Sequence, residues 1–220
     1  MPECLDSYPW RSIRGCGALA PAVFKVGDYK NIFLTDGTQM QVRIIGFNHD
    51  RLPSGDFAPI TWEFIDCLPR RFRWNERSTN EGSWERTDLR RYMNDPDGRI
   101  YTLMPEDLLD VISPVIKLTA NTYGGENNII ETEDKLWLKS EKELFGRCFY
   151  SLDGEGHWYE WYRQEDVPWS KKRNGDSEYV MLRSPSRFDW DYFCVTDKVG
   201  LPDCINAADG SNGVAPAFCT

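Results

Sequence analysis

The chain has 220 residues, with 35 Asp and Glu against 26 Lys and Arg, for a formal net charge of −9. That balance argues against a nucleic-acid or anionic-membrane partner, since both require an excess of cationic side chains. The length suffices for one large domain or two small ones with a real core, and no apolar run reaches membrane-spanning length.

Residues 1–24 are punctuated by Pro2, Pro9, Gly15, Gly17 and Pro21 and read as an irregular N-terminal arm. This arm either covers the rest of the chain or docks on a partner. It lacks a basic region followed by a continuous apolar stretch, so no Sec signal is expected. In "YKNIFLTDGTQMQVRIIGFNHD", Asp36-Gly37 separates the apolar Ile32, Phe33 and Leu34 from the alternating Met40, Val42 and Ile44. This predicts two antiparallel strands joined by a tight turn. "DRLPSGDFAP" reads as a loop, and "ITWEFIDCL" as a third strand with Ile60, Trp62 and Phe64 on one face. The stretch from Arg70 to Arg77 interleaves arginine with Phe72 and Trp74. It stands alone beside Glu81 and Glu85 and reads as a solvated loop.

"GSWERTDLRRYMND" predicts a helix capped by Ser83 and ended at Asn94-Asp95-Pro96-Asp97-Gly98. "MPEDLLDVISPVIKLT" predicts a second helix, with Pro105 at its first position and an apolar stripe of Leu108, Leu109, Ile112, Val115 and Ile116; Pro114 should break or kink it. Glu131, Glu133 and Asp134 read as a solvated acidic turn. A short strand follows from Lys135 to Lys139, then a capping box of Ser140 and Glu143 before a short helix ended by Gly146. "EYVMLRSPS" reads as a buried strand. The remainder is loop-like up to Gly213, apart from a hairpin around "FCVTDKVGL". The apolar "GVAPAF" at the end reads as a core strand.

Seven cysteines without a CxxC pair, and only His49 and His157, give no support to a zinc site. They fit a chain made in a reducing cytoplasm with mostly free thiols, with Cys194 and Cys204, or Cys4 and Cys16, able to pair after release from a cell. The Asp and Asn residues of "DCINAADGSNG" and "FNHDRLPSGD" follow no calcium-loop spacing and serve equally well as turn formers, so no metal or cofactor is expected.

Five landmarks occur in order: "LTDGTQMQVRIIGF", the "W…LRRYMN" helix, "DKLWLKSEKELFG", "YVMLRSPS" and the terminal "GVAPAF". Together, over roughly residues 25–220, they resemble a group of bacterial and phage domains that end in "LRSP … GVRPA". The resemblance implies a single α+β domain of C-type-lectin-like fold, similar to the variable proteins of diversity-generating retroelements and to formylglycine-generating enzymes. Small antiparallel sheets, two or three helices and long loops are then expected, with "GVAPAF" returning as core sheet. The group carries Arg where this chain has Ala215, and Arg183 is available to take over its anchoring role. The resemblance implies a ligand- or receptor-binding display protein, not an enzyme, carried on a phage particle or bacterial surface. Its partner would be a protein or glycan.

The expected ligand-binding residues are Arg187, Phe188, Asp189, Trp190, Asp191 and Tyr192, completed by Asn206, Asp209, Ser211 and Asn212. Large rings beside charged groups on a loop give wide contact area at low entropy cost, plus directional polar contacts. The bland reading has Phe188 or Trp190 tucked into the core. Retroelement mutagenesis acts at adenines, and Trp190 is not reachable from an Asn codon by that route alone. Two alternatives remain: a formylglycine-generating-type enzyme using Cys194 and Cys204, and a structural virion or assembly subunit forming homo-oligomers through the arm.

Overall fold

The computed structural model describes the backbone of residues 1–220 and every side chain except that of Ile205. The first helices are α1 (Trp10–Gly15) and α2 (Ala20–Val23), followed by strands β1 (Tyr29–Phe33), β2 (Gln39–Phe47) and β3 (Ile60–Phe64). Next come α3 (Asp88–Asn94), α4 (Glu106–Leu109), β4 (Val115–Asn121), β5 (Asn128–Asp134) and α5 (Glu141–Phe145). The chain ends with β6 (Lys171–Arg173), β7 (Asp176–Glu178), β8 (Val180–Pro185), β9 (Tyr192–Thr196), β10 (Pro202–Ala207) and β11 (Ala217–Cys219). The class is α+β, with short helices and small antiparallel sheets.

The largest sheet has the order β1-β2-β3-β11. The predicted hairpin is its first half: Phe33 pairs with Gln39, and Gly37 takes the left-handed conformation (φ 84°) that the turn requires. The terminal residues are core sheet. Phe218 pairs with Trp62 in β3, while Ala217 bridges Trp137 on the other side. Trp10, Trp62 and Phe218 pack with ring centroids 5.2–6.3 Å apart. Gly213 lets this segment enter, because a Cβ there would lie 2.6 Å from Cys67 Sγ and 3.1 Å from the Tyr179 carbonyl.

Both faces of the sheet are covered. Val42 and Ile44 point into the main core, whereas Ile45 belongs to a second core with Leu144, Tyr159, Tyr162, Leu182 and Cys194. Ile60, Trp62 and Phe64 share the main-core face of β3 as expected, and the double coverage buries its other face as well, so that all five residues are buried. Glu63 on its second face accepts from Arg43, Lys139, Lys171 and Tyr162. Although burial opposes ionisation, these cations hold its carboxyl well below the usual range.

Several expectations need correction. Residues 1–24 are not irregular throughout: α1 and α2 form, and Leu5, Trp10, Ile13, Ala20 and Phe24 join the main core. The "W…LRRYMN" helix starts at Asp88 and not at Ser83. Thr87 Oγ1 caps it by accepting from Arg90 N at 3.1 Å, and Ser83 sits at φ 57° with its hydroxyl donating to Ala120 O. The second predicted helix stops at Leu109. Beyond Pro114 the chain is extended, because Val115 and Ile116 pair with Asp134 and Glu133 across β4 and β5. The supposed acidic turn is therefore strand β5. Asp134 is fully buried, accepting from Arg90 Nε at 2.6 Å and Trp84 Nε1 at 3.0 Å. No strand runs from Lys135 to Lys139, where Trp137 makes only an isolated bridge. The capping box at Ser140 and Glu143 forms as expected, with Gly146 at φ 73°.

The hairpin expected around "FCVTDKVGL" forms as β9 and β10, so about half of the residues from Tyr192 to Gly213 are strand and the rest is loop. β8, β9 and β10 form one antiparallel sheet in the order β10-β9-β8. A cross-strand pattern with an irregularity between Asp203 and Asn206 hides its alternation in the sequence.

Candidate functional site

The connection from β8 to β9 is a short loop tied down at several points. Ser186 N donates to Tyr192 O at 3.0 Å and closes it. Ser186 Oγ accepts from the N–H groups of Phe188 (3.1 Å) and Asp189 (3.2 Å). Thr122 Oγ1 donates to Ser186 O at 2.6 Å, and Arg187 N to Tyr150 O at 2.9 Å. Asn80, fully buried, is the central clamp. Its Nδ2 donates to Asp189 O (3.0 Å) and Tyr192 O (3.1 Å), and its N–H to Trp190 O (2.7 Å).

Held this way, the loop turns its rings outward. Phe188 is 63% and Trp190 54% exposed, and Trp190 is the only exposed residue among nine tryptophans. Neither is tucked into the core. The Tyr123 ring lies 5.9 Å from that of Trp190, inclined at 55°. A cleft of about 620 Å³ opens between Phe188–Asp191, Tyr123 and the facing loop that carries Arg77, Thr79 and Glu81. Ser78 Oγ approaches Asp191 Oδ2 at 3.5 Å across it.

The ten expected residues do not form one surface, and Ser211 is exposed at a different cleft, along the 70–75 segment. Phe188, Asp189, Trp190 and Asp191 line the cleft. Arg187 is exposed beside it, its guanidinium 4.7 Å above the Phe188 ring and bonded to Phe149 O. Tyr192 is half-buried in β9. Asn206 is half-buried in β10 with Nδ2 unpartnered, and Asp209 is exposed in the following turn. Asn212 is a correction: it is buried, and its backbone exchanges two hydrogen bonds with Phe72. Pairing with the 70–75 segment removes it from the surface.

That segment is also not a simple solvated loop. Trp74 is fully buried, donates to Leu182 O at 2.8 Å and stacks on Phe193 at 5.2 Å. Arg71 makes two bonds to Glu178. A second cleft of about 570 Å³ lies along it, flanked by Arg70, Arg73, Arg99 and Tyr92.

Sequence reasoning missed Asn80, Ser78, Thr79, Glu81 and Tyr123. The Asn-Glu-Gly run at 80–82 carries a turn signal, but nothing local says that its side chain clamps a loop more than a hundred residues away.

Behind the site lies a buried charge network. Arg183 of β8 bonds Glu143 through two nitrogens (2.5 and 2.9 Å) and reaches the carbonyls of Leu118, Leu138 and Glu155. Lys117 joins Glu143 to Asp50, each at 2.5 Å. Burial opposes ionisation of both carboxyls, yet the neighbouring cations prevail: Asp50 is held down to about 2 and Glu143 is also lowered. Glu155 goes the other way, pushed up to about 7 by burial. This network accounts for Glu143 beyond its capping role. Glu141 is likewise buried and accepts from the Tyr150 and Ser151 backbones.

All seven cysteines are free thiols. Cys194 on β9 and Cys204 on β10 are neighbours. The hydrogen bond from Cys194 lowers Cys204, while burial pushes Cys194 well up. Among the described residues, no group of three His, Cys, Asp or Glu side chains converges as metal ligands. Among the described residues, no helix is long and apolar enough to cross a membrane.

No curated protein and no solved structure matches the chain. One family model does, over residues 60–220, from β3 through β11 and so across both loops of the cleft. The chain therefore belongs to the family described as domain of unknown function DUF6273.

Proposed function

We propose that the protein is a non-enzymatic binding domain that displays the loop 187–191 to a protein or glycan ligand. The observation carrying this reading is the outward-facing pair Phe188 and Trp190 on a loop clamped by the buried Asn80. Exposing large rings costs solvation unless a partner covers them, and fixing the loop beforehand removes much of the entropy cost of binding. The reading extends to a C-type-lectin-like fold. Its support is the landmark order and a terminal strand that returns to the sheet beside β3. Carriage on a phage particle or cell surface, with or without diversification of the loop, belongs to the same proposal.

The test is to screen the intact chain on glycan and displayed-peptide arrays, then repeat the hits with Phe188→Ala and Trp190→Ala. Loss of binding in folded variants is expected. Unchanged binding of every hit would remove this loop from the interface. The neighbouring thiols Cys194 and Cys204 favour one second reading, a relative of formylglycine-generating enzymes. That reading requires fast alkylation of Cys204 in the folded chain, and uniformly slow labelling would set it aside.

A further inference from the structure

We infer that the cleft between the 187–191 and 77–81 loops receives an alkylammonium group of the ligand, an inference that rests on this loop being the binding surface. Three carboxylates line it, Glu81, Asp189 and Asp191, against the single cation Arg77. Among the described residues, none of these carboxylates has a Lys or Arg within ion-pair distance. The carboxylates of Asp50, Glu63, Asp134 and Glu178 are ion-paired. Those of the cleft are not, and what sets them apart from other unpaired carboxylates on this acidic surface is the exposed aromatic corner beside them.

The rings supply the second half of the recognition. Aromatic faces are electronegative and attract cations, Trp most strongly. Phe188 already carries the Arg187 guanidinium at 4.7 Å. Among the described residues no cation lies over Trp190 or Tyr123. Inclined at 55° with centroids 5.9 Å apart, those two rings make a corner. A compact tetrahedral head touches both walls of such a corner, whereas a planar guanidinium covers only one. A neutral sugar would use the ring and hydroxyl acceptors but would leave the excess of carboxylates over Arg77 uncompensated. The chemistry is that of a lysine side chain, free or methylated, or of a choline-type head group.

The experiment follows the Trp190 indole N–H by NMR in the full chain. The probes are tetramethylammonium, N-acetyl-lysine methylamide, phosphocholine, the uncharged isostere with carbon in place of nitrogen, and a set of methyl glycosides. Tetramethylammonium should bind at least about tenfold more tightly than its isostere. Binding should weaken with salt, fall about tenfold in Asp189→Asn/Asp191→Asn and vanish in Trp190→Leu. Both aspartates are on the surface loop, so the double variant should keep the fold. Preference between the lysine amide and phosphocholine identifies the source of the cation. Equal binding of the isostere, unchanged binding in the double Asn variant, or no shift with any cation would overturn the inference. A shift at Trp190 with glycosides alone would overturn it while leaving the display reading intact. No shift with any probe, joined by array hits insensitive to Trp190→Ala, would remove both.

Discussion

Replacing Arg183 by Met keeps much of the side-chain volume and removes the charge that closes the buried network. Two carboxylates, Asp50 and Glu143, would then share the single ammonium of Lys117, which already bonds both at 2.5 Å. The carbonyls of Leu118, Leu138 and Glu155 would each lose a buried donor. Breaking a buried ion pair on one side costs about 3–5 kcal/mol, because the partner charge stays behind without compensation. A domain of ordinary stability holds about 5–15 kcal/mol in total, so this variant should lose about a fifth of it or more. At this chain length the loss corresponds to a Tm lower by roughly 10 °C. Arg183→Lys keeps the charge without the fork and should fall between the two. Urea unfolding followed by tryptophan fluorescence gives the free energies, with an unchanged m-value confirming that the same transition is measured. If Arg183→Met unfolds within about 1 kcal/mol of the parent, the network is not what fixes β8, and the reasoning fails.

Asn80→Ala should cost about 1–3 kcal/mol and speed hydrogen exchange at the amides of residues 188–191; exchange rates equal to the parent would mean that the clamp is idle. Glu155, with a folded-state pKa of about 7 against an ordinary 4.5, contributes stability that is complete below about pH 4.5 and lost as pH rises through 7. Parent minus Glu155→Gln stability should therefore fall by about 3 kcal/mol across that window, and a flat difference would show that folding does not raise the Glu155 pKa. Gly213→Ala forces a methyl against Cys67 Sγ and the Tyr179 carbonyl and should destabilise by about 1–3 kcal/mol by thermal denaturation; a neutral result would show that the terminal segment shifts freely. Ser140→Ala should cost about 1 kcal/mol, read from the urea midpoint, through loss of the bond to Glu143 N at 3.0 Å.

Local chemistry settled several features outright. Asp36-Gly37 between two apolar runs makes a hairpin because only a left-handed residue closes that turn. Ser140, Glu143 and Gly146 bound a helix through side-chain bonds that span three residues. The uncharged "GVAPAF" is core because no partner but other apolar surface stabilises it. That residues 187–191 form a loop was also legible, since aromatics next to Asp after a Pro-ended strand lack the periodicity of a helix or strand.

What only tertiary structure decided lies at long sequence separation. Val115–Asn121 has the apolar spacing of a helix, yet β5 and the Arg51 carbonyl recruit it as a strand. Lys117, Glu63 and Asp134 look like solvent-facing charges, and each becomes buried because partners far along the chain neutralise it. Asn80 reads as a turn residue and acts as a clamp 109 residues from the carbonyl it holds. Asn212 reads as loop surface and is buried by pairing with Phe72. Periodicity and turn chemistry report what a residue prefers from its immediate neighbours. Burial of a charge, or the facing of two loops across a cleft, depends on which distant groups the fold delivers, and that information is not local.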